Sequence, residues 1–207
     1  MSVEIRYATK ADIREMSEVM ARAFQVEDPV SGYFFPNDRT RPKKQRRMMS
    51  ALIRHRYLPI DGAEVATIDG RIVGVSLWYP HDSPPEPWWR KAISGPHLLW
   101  AMGRGVRPGI QMDRTLLAGA PDDQAVLWVY LGIEPSLHRS GVGRALTSSI
   151  FERMDHERRI TYGICKEGNI PFWTAMGFEP VGTTTIGPKG PLVYRMNRPP
   201  AQVTSGP

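Results

Sequence analysis

The chain has one cysteine, Cys165, among its 207 residues. A lone thiol excludes an intramolecular disulfide framework and fits a reducing compartment. Cys165 falls in a β-rich run with no partner indicated, so a small buried residue is expected there rather than a nucleophile. The opening MSVEIRYATK has no basic region leading into an apolar one, which reads as no secretory signal and a cytoplasmic location. Long apolar runs are missing, so no membrane span is expected. The five histidines show no metal-ligand spacing. No segment repeats.

What is there is the composition of one packed domain. Hydrophobic residues make up 41% and charged residues 23%, in a chain long enough to bury a core without staples. Residues 1–198 read as that domain, 80–124 as a variable helical insertion within it, and 199–207 as a disordered tail. The net charge is +6, with much of the excess in residues 39–47 (RTRPKKQRR) and in Arg54 and Arg56. Pro42 suits a first helical position, and Met48, Met49, Leu52 and Ile53 form an apolar side. The basic residues therefore read as the solvated face of a helix, with a phosphate- or nucleic-acid-binding surface as the alternative. Aromatic residues are not interleaved with these charges, so nucleic acid is not an expected partner.

Residues 3–7 predict a strand, and Thr9 to Asp12 resembles a capping box opening a helix over 10–24 that carries Ile13, Met16, Met20 and Phe24. A loop is expected over 25–41. Asp69-Gly70 between Ala63–Ile68 and Ile72–Tyr79 is a hairpin signal. The insertion, rich in tryptophan and proline, predicts a loop and one or two amphipathic helices that cover either a pocket or the sheet. Further on, the pattern predicts strands at Ala125–Ile133, Ile160–Cys165, Phe178–Ile186 and Leu192–Asn197. Helices are predicted at 142–157 and Pro171–Met176.

One segment carries chemistry. The strand ending at Ile133 leads through a short loop into Gly141-Val-Gly143, and a helix follows at once. Glycine lets the backbone turn tightly, and the first helical turn offers unpaired N–H groups at the positive end of the helix dipole. Together these suit a pyrophosphate, with His138, Arg139 and Arg144 beside it. A dinucleotide fingerprint fails, because Leu146 stands where a third small residue is needed and no acidic residue is well placed on the next strand. A P-loop fails for lack of Gly-Lys-Ser/Thr. A glycine turn that opens a helix without any ligand remains the structural alternative.

The run from Gly132 to Leu146 resembles the coenzyme A-binding motif of the GCN5-related (GNAT) acetyltransferases, Gln/Arg-x-x-Gly-x-Gly/Ala after a strand. Asn169-Ile-Pro-Phe-Trp-Thr-Ala-Met-Gly-Phe178 resembles a second segment of that family at the usual spacing. The N-terminal strand, Ala23-Phe24, Asp28-Pro29 and the hairpin look like the branch containing puromycin N-acetyltransferase. The resemblance spans most of residues 3–198 and is weakest over 80–124. It implies an α/β fold: a twisted, largely antiparallel mixed sheet with two splayed strands, flanked by helices. It also implies acetyl transfer from acetyl-coenzyme A to an amine of a small molecule. Leu131, Gly132 and Ile133 would then give backbone hydrogen bonds to the acetyl and pantetheine groups, with Gly132 or Ile133 as the oxyanion donor. His138, Arg139, Ser140, Gly141, Val142, Gly143 and Arg144 would hold the pyrophosphate, Asn169 would contact the cofactor, and Phe172 would line its channel.

Departures from the family pattern bear on catalysis. His138 and Arg139 replace the usual Gln/Arg and Gly but still suit an anion. Trp173 stands where the family often has the tyrosine that protonates the leaving thiolate, and indole is not a usable acid. Tyr130 is the candidate substitute, with strand packing as its alternative. Asp28, and Glu27 beside it, are candidates for acceptor contact, with Trp173 next to the same site; helix capping is the alternative for Asp28. His81 and His97 in the insertion have weaker standing. No metal is implied, and a homodimer is left open. Two other functions stay open: an acyl-coenzyme A-binding protein that has lost catalysis, suggested by Trp173, and a protein or peptide acetyltransferase guided by the basic helix.

Overall fold

The structure, a computed structural model, describes residues 2–25, 28–80 and 87–201. Seven strands among them make one sheet: β1 (Glu4–Tyr7), β2 (Ala63–Ile68), β3 (Arg71–Tyr79), β4 (Val126–Ile133), β5 (Thr161–Cys165), β6 (Glu179–Thr185) and β7 (Leu192–Arg198). Their spatial order is β1-β2-β3-β4-β5-β7-β6. All neighbours are antiparallel except β4 and β5. The turn joining β2 to β3 has φ of 50° at Asp69 and 74° at Gly70, the two positive values that a twisted two-residue hairpin needs.

Helices cover both faces. On one, α1 (Ile13–Ala23) buries Ile13, Met16, Val19 and Met20 at helical spacing against β3 and β4. Its start is fixed by Asp12, whose carboxylate accepts from the Thr9 N–H at 2.7 Å and from both terminal nitrogens of Arg6. On the other face, α6 (Val142–His156) buries Val142, Leu146, Ile150, Phe151 and Met154. Two adjacent positions of β4 separate the layers. A Cβ at Gly132 would sit 2.5 Å from Met20 Sδ of α1, whereas Ile133 contacts the α6 side beside Val142. Ser149 Oγ and Arg153 Nη2 both donate to the buried Glu64 carboxylate of β2, at 2.6 and 2.8 Å, and so pin α6 to the sheet.

The expected loop over 25–41 contains a helix, α2 (Pro29–Phe34), too short for periodicity to reveal. Asp28 caps it and Pro29 opens it. The basic helix α3 spans Arg41–Leu52 and runs into a wider π-helical turn at Ile53–Tyr57. Lys43, Lys44, Arg46 and Arg47 are exposed as expected. The insertion forms α4 (Trp88–Met102) and α5 (Val106–Leu117), and α4 packs on α3. The last helix, α7 (Ile170–Thr174), lies between β5 and β6. No helix among the described residues is long and apolar enough to cross a membrane.

Candidate functional site

The site begins where β4 loses its neighbour. Only Val126, Leu127 and Trp128 pair with β5, opposite Thr161, Tyr162 and Gly163. At that last position a Cβ on Gly163 would lie 2.7 Å from the Trp128 carbonyl oxygen, so glycine permits the strands to meet there. Beyond it they separate. On the other side, β3 pairs Leu77 with Tyr130 and Trp78 with Trp128, which leaves Val129 as an extra residue, a β-bulge. The Glu134 N–H donates to the Val73 carbonyl at 2.8 Å. Alternation along the ladder then directs Gly132 to β3 and leaves the backbone groups of Leu131 and Ile133 on the unpaired edge. Of Gly132 and Ile133, it is Ile133 whose N–H lies on that edge.

After β4 the chain passes through a 3-10 turn, Pro135–Leu137, which Ser140 Oγ closes by donating to the Leu137 carbonyl at 2.6 Å. Arg139 and Gly141 both take positive φ, 65° and 89°. The first bond of α6 runs from the Ala145 N–H to the Gly141 carbonyl at 2.9 Å, and no side chain caps the helix. The amides of Val142, Gly143 and Arg144 therefore stand at an uncapped positive helix end. Nothing lies within 4 Å of the Cβ position at Gly141. His138, Arg139, Ser140 and Arg144 are exposed around it, and the Val142 side chain is buried beneath. A Cβ at Gly143 would lie 3.5 Å from the Phe172 ring, which brings Phe172 to the first turn of α6. Asn169 sits at the N-cap position of α7, exposed and with no capping bond from its side chain.

On the α1 face, at the bulge, Tyr130 lines a cavity of about 200 Å³. Its walls come from α2, α4, α5 and the end of α3 with its π-helical turn, and include Phe34, Leu98, Met102 and Met112. Inside, Arg56 Nη1 donates to both carboxylate oxygens of Asp113 at 3.0 and 2.8 Å. Burial acts to lower the Arg56 value, but the Asp113 charge and its neighbours overcome this and raise it. Burial pushes up the phenols of Tyr57, Tyr79 and Tyr130. A more open hollow of about 250 Å³ lies between α1 and α3, and none of the β4–α6 residues lines it.

The remaining candidates take separate positions. Asp28 accepts from the N–H groups of Val30 and Ser31 and from the Ser31 hydroxyl, so its carboxylate is engaged in capping α2. Trp173 is half-buried in an aromatic cluster, with ring centroids 5.8 Å from Trp128, 5.1 Å from Phe172 and 5.1 Å from Phe178. His97 Nδ1 lies 2.7 Å from His55 Nε2. Glu27 and His81 fall outside the described residues, as does the tail beyond Ala201. Cys165 is buried, and its thiol is pushed up to about 11 by that burial. No metal-holding group of side chains occurs among the described residues.

Arg56, Asp113 and Tyr57 were not expected at a site. Arg56 read as part of a solvated basic face, yet it follows Ile53 by three positions, Leu52 by four and Met49 by seven, which is the side of the helix that these buried residues occupy. That spacing was the available signal. Nothing in the sequence marked Asp113.

No protein-family model and no curated protein matches the chain. Among solved structures, a histone acetyltransferase HPA2 and related acetyltransferase from Corynebacterium glutamicum aligns at a TM-score of 0.71 and 24% identity, covering 99% of this chain and 99% of its own. A polyamine N-acetyltransferase from Drosophila melanogaster that forms N-acetylagmatine aligns at 0.61 and 12%, covering 96% of this chain and 100% of its own. The PaiA N-acetyltransferase from Thermoplasma acidophilum, in complex with coenzyme A, aligns at 0.59 and 11%, covering 96% and 99%. These likenesses define the class of fold: this chain is built as the GNAT acetyltransferases are. Within that class, its split strand, uncapped α6 and side cavity are the parts on which a reading of activity rests.

Proposed function

We propose that the chain is an N-acetyltransferase that moves acetyl from acetyl-coenzyme A to the amine of a small molecule, in the cytoplasm. The observation that carries this is the uncapped first turn of α6 directly after a strand with a free edge. One element offers amides to a diphosphate, and the other offers a ladder to the amide groups of pantetheine. The residues fit such a carrier. The space at Gly141 is open, Arg139 and Arg144 are exposed beside it, and Phe172 borders the first turn. The likeness to the puromycin N-acetyltransferase branch belongs to the same reading.

The carrier supplies a thioester carbonyl that an amine can attack: a C–N bond forms, the C–S bond breaks, and the proton lost by nitrogen accompanies the sulfur. The chain's own part is positioning and charge stabilisation. The Ile133 amide suits the carbonyl oxygen. Tyr130, whose phenol burial holds protonated, serves as a hydrogen-bond donor near the departing sulfur rather than as a group that ionises. A second reading, a carrier-binding protein without turnover, draws on Trp173, which is held among three aromatic rings.

Two measurements test this. Coenzyme A titrated calorimetrically should bind the wild type and bind Gly141→Ala more weakly. Thiol release from acetyl-coenzyme A across an amine panel should appear with at least one acceptor. Tight binding with no turnover, unchanged by Trp173→Tyr, selects the second reading; no binding removes both.

A further inference from the structure

We propose, resting on that reading, that the acceptor is an amine with a single positive charge on an apolar body, housed in the cavity beside Tyr130, and that polyamines and lysine-rich peptides are excluded. The cavity holds about 200 Å³, and an apolar cavity of about 150 Å³ accommodates a benzene ring. Most of its wall is aliphatic or aromatic, from Leu52 and Phe34 to Val106 and Met112. Its mouth is apolar too, since Leu99 and Ile110 line it yet remain 59% and 49% exposed. Gly95 also lines the cavity and contributes no side chain, and apart from its chain neighbours and its own helix backbone nothing lies within 4 Å of its Cβ position.

Charge sets the second half of the specificity. Asp113 is the one carboxylate among the described lining residues, and Arg56 already neutralises it. A carboxylate has roughly four acceptor sites, and Arg56 Nη1 is within hydrogen-bond distance of both oxygens, so acceptor sites remain for an ammonium. The Asp113 side chain is 40% exposed, so a ligand can reach it. A second cationic group would meet the Arg56 guanidinium and no second carboxylate among the described lining residues, on a chain with net charge +6. The amine binds as its ammonium beside Asp113, passes the proton to solvent, and is then next to Tyr130 at the strand split.

The test uses the full chain with acetyl-coenzyme A and four acceptors: 2-phenylethylamine, hexylamine, spermidine and a lysine-rich peptide. The monoamines should exceed spermidine and the peptide in kcat/KM by about tenfold or more. Gly95→Leu adds a side chain to the lining, and because Pro96 follows it in α4 the new Cβ crowds the proline ring, so the melting temperature should fall by a few degrees. The affinity for coenzyme A should be kept while monoamine kcat/KM falls about tenfold. Asp113→Asn should raise KM for monoamines more than it lowers kcat. Preference for spermidine or the peptide, or a Gly95→Leu enzyme as active on monoamines as the wild type, overturns the proposal while leaving acetyl transfer intact. If no acceptor turns over, direct calorimetry decides: 2-phenylethylamine binding that is absent with spermidine and lost in Gly95→Leu supports the pocket assignment, and equal binding or none refutes it.

Discussion

The turn into α6 and the cavity beside Tyr130 lie on opposite faces of one strand and are made of different materials. The first is built from backbone: amides at a helix end, an unpaired strand edge, and glycines whose value lies in conformation or closeness. The second is built from side chains that five separate segments bring together. A backbone site should tolerate changes of side-chain chemistry and fail when the chain path changes. A side-chain site should behave the other way.

The severest challenge to that contrast is Gly132→Ala, where the new Cβ would lie 2.5 Å from Met20 Sδ and 3.3 Å from Ala23 Cβ. Overpacking of this kind costs about 1–3 kcal/mol, and denaturant unfolding should show it together with weakened coenzyme A binding as α1 is pushed from β4. Next is Gly141→Ala, which meets no atom and acts only through its φ of 89°. Forcing a side chain into that region costs about 1–2 kcal/mol, and coenzyme A affinity should fall with little change in affinity for an acceptor amine. On the cavity side, Tyr130→Phe keeps the ring and removes the hydroxyl. Stability should stay within about 1 kcal/mol, while steady-state kinetics should show turnover falling with coenzyme A affinity preserved.

The cavity also has an alkaline signature. Burial raises Tyr57, Tyr79 and Tyr130 above the ordinary phenol value. The unfolded chain releases those protons near pH 10 and the folded chain does not, so this stability is complete below about pH 10 and is lost as pH rises further. Ultraviolet titration of the native protein should show fewer than its seven tyrosines ionising in the ordinary range. The smallest effect is expected for Arg139→Gly. Relief of a non-glycine residue at φ 65° is opposed by the greater freedom of glycine when unfolded, so stability should change by less than about 1 kcal/mol. Coenzyme A binding should weaken modestly and become less sensitive to salt.

The two materials also explain what could be read in advance. The strand, the glycine turn and α6 form one unbroken stretch, so their pattern survives in a linear sequence, as does the Asp69-Gly70 hairpin. The bulge at Val129, and with it the choice between Gly132 and Ile133, depends on pairing with β3, which no local pattern encodes. Arg56 was hidden by its charge, since it read with the other basic residues although its spacing from Met49, Leu52 and Ile53 puts it on the buried side of the helix. Asp113 was hidden because its partner lies 57 positions away. At Asp28 the same carboxylate suits a ligand or a helix end, and here it meets the N–H groups of α2.

The outward side of α4 has a spectroscopic consequence. Trp88 and Trp100 are 80% and 65% exposed, whereas Trp78 and Trp128 are buried within the sheet. Indole emission moves to longer wavelength as water surrounds the ring, so the six tryptophans divide into a red-emitting group on α4 and a blue-emitting group in the interior. A soluble quencher should reach the first and spare the second. Because α4 also borders the cavity mouth, the fluorescence of the unlabelled chain can report on what settles there.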